Sequence, residues 1–472
     1  MSKYQVTIGL EIHVETKTKT KMFSSAPNNY SATPNVNVSV VDMAFPGVLP
    51  TINLEAVRNA IQLSHALNMK IDPLVRFDRK NYFYSDLPKG YQITQQFFPI
   101  GSNGFLDVEV NNEIKRVDIE RLHMEEDTAK QLHFDDYTLL NFNRAGVPLV
   151  EIVTKPCIND SATAQEFVDK IRETIIYLEV GDGKMEEGSL RCDVNISLAP
   201  LGQTKLGTKV EIKNINSLSF IKKAIDFEIE RQSKILDDGG LIAQETRRYD
   251  QSTRETVLMR TKKDAIDYKY FPEPNLLPYR LKAAFIAETI AASKELASIK
   301  SERYQKLGVS KTQAKIILRN KEMAAYFDAL LLQTDAIKEL TNFFLGEFLG
   351  YLNKNNLNLS DLEFSQKHFA SLMTLLGKGQ ISYSEAKEFF YRLVKEDLDP
   401  LTVFKDKDQA VDVLEVKNAM REVLARFPEE TKKARDNNMA LFGFLTGQCI
   451  KALNGKINPK EIAKLLKELL EE

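Results

Sequence analysis

The chain runs to 472 residues, more than one hydrophobic core usually serves, so about two to four domains are expected. Its composition, 43% apolar and 28% charged, excludes a disordered or fibrous class and is that of a soluble globular protein. A net charge of −2 excludes nucleic-acid binding through the global field, so an RNA contact needs a local basic face, and DNA is not expected as a partner.

Three widely spaced cysteines, Cys157, Cys192 and Cys449, point away from a disulfide framework or zinc ribbon and towards a reducing, cytoplasmic setting. No run approaches the roughly eighteen apolar residues of a membrane span. The start, MSKYQVTIGLEIH, has no apolar signal core and goes straight into a strand, so no export segment is expected.

Gln5 to Glu15 alternates strictly. Val6, Ile8, Leu10, Ile12 and Val14 share one face; Thr7, Gly9, Glu11, His13 and Glu15 share the other. Two carboxylates flanking an imidazole repel unless a cation or basic partner sits between them, so this strand is either a surface strand with scattered charges or the base of a hard-metal site. FDRKNYFYSDLPKGYQI, residues 77–93, sets Arg79, Lys80 and Lys89 among aromatics. That mixture suits phosphate positioning and base stacking, and equally an aromatic loop with solvated cations.

His123, Glu125 and Asp127 alternate with Met124 and Glu126, which predicts that Glu125 and Glu126 face opposite ways. Asn143 and Arg144 precede a Gly-x-Pro turn, and Glu151 then sits in an apolar run, where a carboxylate needs a partner or a ligand. Arg191, Asp193, Asn195 and Ser197 share one strand face, and Glu211 lies between Lys209 and Lys213 with Val210 and Ile212 opposite. Oxygen-rich rows of this kind suit Mg²⁺ and not zinc. The stretch 202–209, GQTKLGTK, has glycines at P-loop spacing but no Lys directly after the second Gly, so it reads as a hairpin turn. Gly181-Asp182-Gly183 lacks the third glycine of a dinucleotide fingerprint.

Beyond about residue 281 the pattern becomes helical. Ser310 with Gln313 and Ser382 with Glu385 predict capping boxes. Asp399-Pro400 reads as a turn, and KDKDQ from Lys405 as a linker. Asn454-Gly455 predicts a helix end, and Asn458-Pro459 with Glu461 the next start.

With these segments in order, the chain resembles the B subunit of the bacterial and organellar glutamyl/aspartyl-tRNA amidotransferases. The resemblance runs through GLEIHV (9–14), residues 77–93, RLHMEEDTAK (121–130), NRAGVPLVEIV (143–153), GSLRCDVNIS (188–197), VEIKNINS (210–217), QETRRYD (244–250), DYKYFPEPNL (267–276) and GFLTGQCIKALNGKINP (443–459). It implies an α+β protein: a cradle-like antiparallel-sheet catalytic domain of the glutamine synthetase kind over 1–292, an all-helical domain over 293–404, and a YqeY-like tRNA-binding tail over 405–472. It also implies an ATP- and Mg²⁺-dependent ligase. The side-chain carboxylate of Glu or Asp mischarged on tRNA(Gln) or tRNA(Asn) is phosphorylated, and ammonia from an amidase A subunit displaces the phosphate, with a small C subunit joining the complex. The alternatives are an Mg²⁺-dependent phosphohydrolase and a non-catalytic tRNA scaffold.

Carried onto this sequence, the resemblance implies Glu11, His13, Glu125 and Glu151 as metal ligands, with Glu126, Asp193 and Glu211 as second-metal or outer positions. Arg191 and Lys213 would neutralise the transferring charge, while Arg79, Lys80, Lys89, Asn143 and Arg144 would contact nucleotide or acceptor. Lys451, Lys456 and Lys460 would meet tRNA phosphate, near Gly443 and Gly447, whose spacing allows close approach of RNA or of a neighbouring helix. Many relatives carry two cysteine pairs where this chain has Ser24, Ala26, Ser39 and Asp42. No zinc is therefore expected, and packing should hold that loop.

Overall fold

A computed structural model describes residues 3–29, 32–261, 267–405, 413–435, 439–453 and 459–471. The chain divides into two compact units, Met1–Ala297 and Ser298–Glu472.

The first unit contains β1 (Tyr4–Glu15), β2 (Lys70–Ile71), β3 (Leu74–Val75), β4 (Asp78–Asn81), β5 (Tyr91–Thr94), β6 (Gly101–Val110), β7 (Glu113–Glu126), β8 (Lys130–His133) and β9 (Thr138–Asn141). It continues through β10 (Pro148–Thr154), β11 (Leu190–Pro200), β12 (Val210–Ile215), β13 (Glu245–Asp250), β14 (Glu255–Thr261), β15 (Phe271–Pro272) and β16 (Tyr279–Arg280). Nine of these strands form one sheet in the order β14-β13-β12-β11-β1-β10-β7-β6-β2. β1 sits at its centre, antiparallel to β10 and β11.

The sheet is mixed, which corrects the antiparallel expectation. β12 and β13 run parallel because the helix α3 (Leu218–Asp237), capped by Ser217, carries the chain from the end of one back to the start of the other. Parallel neighbours require such a crossover. The remaining ladders of this sheet are antiparallel. The GQTKLGTK stretch connects the antiparallel neighbours β11 and β12, as a hairpin loop should.

Period-2 alternation determines which face is covered. Ile8, Leu10, Ile12 and Val14 are at most 1% exposed. They lie in one core with Val57 and Ile61 of α1 (Leu54–Ala66), Phe167 and Ile171 of α2 (Ser161–Leu178), and Ile221 and Ile225 of α3. Each such burial stabilises by about 1.5–3 kcal/mol. The opposite face of β1, β10 and β11 keeps the polar rows, with His13 between Glu151 and Arg191 and Glu11 opposite Asp193. The short ladder β4–β5 stands beside β7, where the Ile93 amide and the Gln92 side chain bond to Glu126.

The second unit is helical. Phe343, Phe344, Phe348, Phe369 and Phe390 are fully buried at its centre. Both expected capping boxes, Ser310/Gln313 and Ser382/Glu385, are formed. Asp399-Pro400 is a helix start rather than a turn: the Asp399 carboxylate accepts from the Leu401 amide, and proline's fixed φ suits the first helical position. Of the KDKDQ segment only Lys405 is described. Residues from Val416 to Leu470 share a separate hydrophobic cluster. One of its helices ends at Ala452 and the next begins at Pro459; Asn454, Gly455 and Asn458 lie outside the described residues. Among the described residues no helix is long and apolar enough to cross a membrane.

Candidate active site

Register across β11, β1, β10 and β7 assembles the polar rows. His13 pairs with Arg191 on one side and Glu151 on the other, and Glu151 in turn pairs with His123. The side chains converge: His13 Nε2 lies 3.3 Å from Glu151 and 3.9 Å from Glu125, and His123 Nε2 lies 3.4 Å from Glu151 and 3.6 Å from Glu125. Thr94 donates to Glu125 at 3.2 Å.

Burial works against charge here, yet the cluster holds its charges. Burial pushes the Glu151 carboxyl up, but His123 and His13 outweigh it and hold it well below the usual carboxylate range. Burial would lower His123, and the carboxylates of Glu151 and Glu125 raise it to about 9. His123 Nδ1 is buried and has no hydrogen-bond partner among the described residues.

A second cluster lies one row along the strands. One oxygen each from Glu11, Asp193 and Glu211 falls within 4.8 Å of the others, and the same holds for one ligand atom each from His13, Glu125 and Glu151. Asn195 donates to Glu11 at 2.8 Å, Thr246 to Glu211 at 2.8 Å, and Lys213 reaches Asp193 at 2.7 Å and Glu211 at 3.2 Å. Burial would lower the Lys213 ammonium, but Asp193 and Glu211 raise it. Both clusters therefore have the donor chemistry of a cation site, and the all-carboxylate one suits a hard divalent ion best. The four residues expected as one shell, Glu11, His13, Glu125 and Glu151, lie in two groups: Glu11 stands directly opposite Asp193, and Asn195, the next residue on the same face of β11, stands opposite Glu211, which brings these three carboxylates together.

The surrounding cations differ from expectation in several places. Arg191 and Arg144 share Asp127, at 2.7 Å for Arg191 and at 2.7 and 2.8 Å for the two nitrogens of Arg144. Burial raises the Asp127 carboxyl, but the two guanidiniums bring it down to about 2. Arg79 is not aimed at the clusters: it grips the buried Glu273 through two nitrogens and stacks 3.9 Å above the Tyr91 ring. Lys89 closes an ion pair with Glu126, which points away from Glu125, so Glu126 lies in neither cluster. Lys80 stays close to the site: burial would lower its ammonium, but Glu125, with Tyr270 and Glu151, raises it, and it lies 5.0 Å over the Tyr268 ring.

Asn143 lies apart from both clusters. It is fully buried, accepts from the Asn37 amide at 2.9 Å and donates to the Thr33 carbonyl at 2.9 Å, so it fastens the preceding loop. The same loop contains Asp42, paired at 3.1 Å with Lys21, which is 0% exposed and also donates to the Phe142 carbonyl. Charge and hydrogen bonds thus hold the loop, where packing was expected. His123 and Asp127 are site members that the functional assignment omitted, although both lie on the same alternating row as Glu125.

In the tail, Lys451 is exposed, Lys456 lies outside the described residues, and so does the side chain of Lys460. A side-chain carbon added at Gly443 or Gly447 meets nothing within 4 Å among the described residues, so neither glycine serves helix packing there.

Residues 6–287 match the family described as GatB/GatE catalytic domain, and residues 325–470 that described as GatB domain. The B subunit of an aspartyl/glutamyl-tRNA(Asn/Gln) amidotransferase of Persephonella marina is 44% identical over 99% of this chain and 100% of its own length. The chain belongs to this family. The corresponding B subunit of Mesoplasma florum is likewise 44% identical, over 100% of this chain and 99% of its own, and that of Macrococcus caseolyticus 43% over 99% of both. The family match spans both units, so the sheet face and the helical region belong to one shared architecture.

Proposed function

We propose that the chain is the tRNA-facing subunit of an amidotransferase that converts Glu-tRNA(Gln) or Asp-tRNA(Asn) to the amidated form in the cytoplasm. The observation that carries the reading is the pair of ligand clusters on one open sheet face, Glu11/Asp193/Glu211 beside His13/Glu125/Glu151. ATP is the phosphoryl donor and Mg²⁺ the cation. Bound cations would neutralise the phosphate oxygens during transfer.

The chain's own groups do the rest. Lys213 and Arg191 line a pocket of about 540 Å³ together with His13, Asp193, Glu186 and Glu187. Two fixed cations there balance charge developing on a phosphorylated side-chain carboxylate, and Asp127 holds Arg191 in place. Lys80 supplies further positive charge over the His13/Glu125/Glu151 cluster. Ammonia from an amidase A subunit displaces the phosphate, with a small C subunit completing the complex. The unit of 1–292 is read as a cradle of the glutamine synthetase kind, 293–404 as a helical domain, and 405–472 as a YqeY-like tail with Lys451, Lys456 and Lys460 on tRNA phosphate.

The test follows ATP cleavage and amide formation by the complex, with ammonium as nitrogen donor, using Glu-tRNA(Gln), uncharged tRNA or none. Cleavage that requires mischarged tRNA and disappears in Glu11→Gln, with tRNA binding kept, is expected. Cleavage indifferent to tRNA would instead indicate a phosphohydrolase, and tRNA binding without cleavage a scaffold.

A further inference from the structure

Lys17, Lys19 and Lys21 alternate along the segment after β1. The first two are exposed, whereas Lys21 is 0% exposed. A buried ammonium is costly unless its partners are fixed around it. This one lies 3.1 Å from the Asp42 carboxylate and 3.1 Å from the Phe142 carbonyl oxygen. Asp42, itself 5% exposed, accepts in turn from the Ser39 amide at 2.8 Å. Buried so completely, neither side chain touches substrate, and neither has a part in the phosphoryl chemistry.

Both partners press on one turn. Phe142 opens the turn that carries Arg144, and its carbonyl also accepts from the Ala145 amide at 3.1 Å. Gly146 closes it with a φ of +82°. A side-chain carbon there would fall 2.9 Å from an Asp42 carboxylate oxygen and 3.4 Å from Lys21 Cδ, so the glycine lets the ion pair lie against the backbone. The Met22 amide donates to the Gly146 carbonyl at 2.8 Å, and the Gly146 amide donates to the Asp127 carbonyl at 2.9 Å. The turn is thus tied to the Lys21 segment on one side and to the residue after β7 on the other.

The turn's own side chain reaches the site. Arg144 grips Asp127 through two nitrogens at 2.7 and 2.8 Å, and Asp127 holds Arg191 at 2.7 Å. Arg191 Nε is buried and has no hydrogen-bond partner among the described residues, so the direction of this guanidinium into the pocket of about 540 Å³ depends on Asp127. Direct contacts therefore run from Lys21 through the turn and Asp127 to Arg191. Apolar side chains of similar volume would fill the space of the ion pair without fixing where the Phe142 carbonyl stands, because only charge-assisted hydrogen bonds give that direction.

We propose that Lys21 and Asp42 are positioning residues for amide formation: through the Arg144 turn and Asp127 they aim the guanidinium of Arg191 into the acceptor pocket. This rests on the reading of Arg191 as the cation beside the phosphorylated carboxylate. The test measures ammonium-driven amide formation on Glu-tRNA(Gln) by four complexes: wild type, Lys21→Met with Asp42→Leu, Arg191→Ala, and all three substitutions together. The apolar pair leaves no unpaired charge, so the loop stays folded. It should lower kcat about ten-fold with the KM for ATP unchanged, and Arg191→Ala should lower kcat about 100-fold or more. Added to Arg191→Ala, the apolar pair should cost nothing further, a dependence that general loss of structure would not produce. An equal fall in both backgrounds overturns the proposal and sends the effect through another neighbour, such as Glu126, whose charge Lys21 also feels. An unchanged kcat in the paired variant overturns it as well. A crystal structure of that variant should show Arg191 released from its 2.7 Å bond to Asp127, and the bond kept overturns the positioning. Wild-type turnover in Arg191→Ala overturns the role of Arg191, and the crystal structure then decides the positioning by itself.

Discussion

In the sheet unit the buried residues include Lys21, Asp42, His123, Glu125, Glu126, Asp127, Glu151 and Glu273, whereas the buried polar residues described in the helical unit are Thr334 and Thr341. The first interior consists of paired charges on a hydrophobic backing, the second of stacked phenylalanines. A buried charge costs stability unless its partners are arranged around it, so the sheet unit keeps its charges through specific pairings. The interior of the helical unit gains its stability from apolar area and fit. Substitutions should therefore separate chemistry from folding along this division.

Glu151→Gln should have the largest effect on chemistry. It keeps the shape but removes the charge that His13 and His123 both face, at 3.3 and 3.4 Å. ATP-dependent amide formation should fall about 100- to 1,000-fold, the scale of losing one preorganised electrostatic group. The opposite experiment is Phe348→Ala in the helical unit. That ring is fully buried and stacks on Phe344 at 4.8 Å and Phe369 at 5.3 Å. Its truncation should cost about 3–5 kcal/mol in denaturant unfolding, with turnover per folded molecule unchanged. If Phe348→Ala changed turnover per folded molecule, the division would fail.

Lys21→Met tests whether charge, and not packing, fastens the loop of Asp42. It leaves a carboxylate that is 5% exposed facing no ammonium, which should destabilise by about 3–5 kcal/mol. Adding Asp42→Leu should recover most of that loss, because removing both partners leaves no unpaired charge. A double variant as unstable as the single would show that the shape of the lysine matters more than its charge.

How much of this was readable in the chain follows from how local each signal is. His13, Glu125 and Glu151 stand out by alternation within their own strands, and the capping boxes by residues three apart. The grouping of Glu11 with Asp193 and Glu211 depends on the register between β1, β11 and β12, which no single strand encodes. Arg79 looked like a phosphate ligand because its partner, Glu273, is 194 residues away. The loop bonds of Asn143 are hidden for the same reason: the loop it clamps lies over a hundred residues earlier, from Thr33 to Asn37. The parallel β12–β13 pair follows from α3, whose amphipathic pattern announces a helix but not where the next strand will dock.

Asp127 gives the pH dependence. Its folded carboxyl, at about 2, lies below the ordinary value of 3.8, so ionisation favours the folded state. The contribution is present above about pH 4 and is lost as pH falls towards 2, on the order of 2 kcal/mol in all. Asp127→Asn should flatten the acid limb of the stability profile by that amount, measured by urea unfolding between pH 2 and pH 5. An unchanged acid limb would mean that Arg144 and Arg191 find other partners when Asp127 is neutral.

Ser382→Ala should have the smallest effect, and it probes how far the helical unit relies on local contacts. Ser382 Oγ accepts from the Glu385 amide at 3.3 Å, while the Glu385 carboxylate accepts from the Ser382 amide at 2.8 Å. Alanine removes the first bond and the hydroxyl's own donation to the Glu385 carboxylate at 2.9 Å, while the backbone bond to that carboxylate is kept near the helix start, where the macrodipole favours it. The expected cost is about 1 kcal/mol, visible as a lower denaturant midpoint with an unchanged slope, and ATP-dependent turnover should not move. A loss several times larger would mean that the cap also positions Tyr383, whose ring lies 5.6 Å from Phe343 and whose hydroxyl reaches Glu347 at 3.3 Å. A local helix signal would then be coupled to the aromatic core, and the second unit would resemble the first in depending on particular pairings.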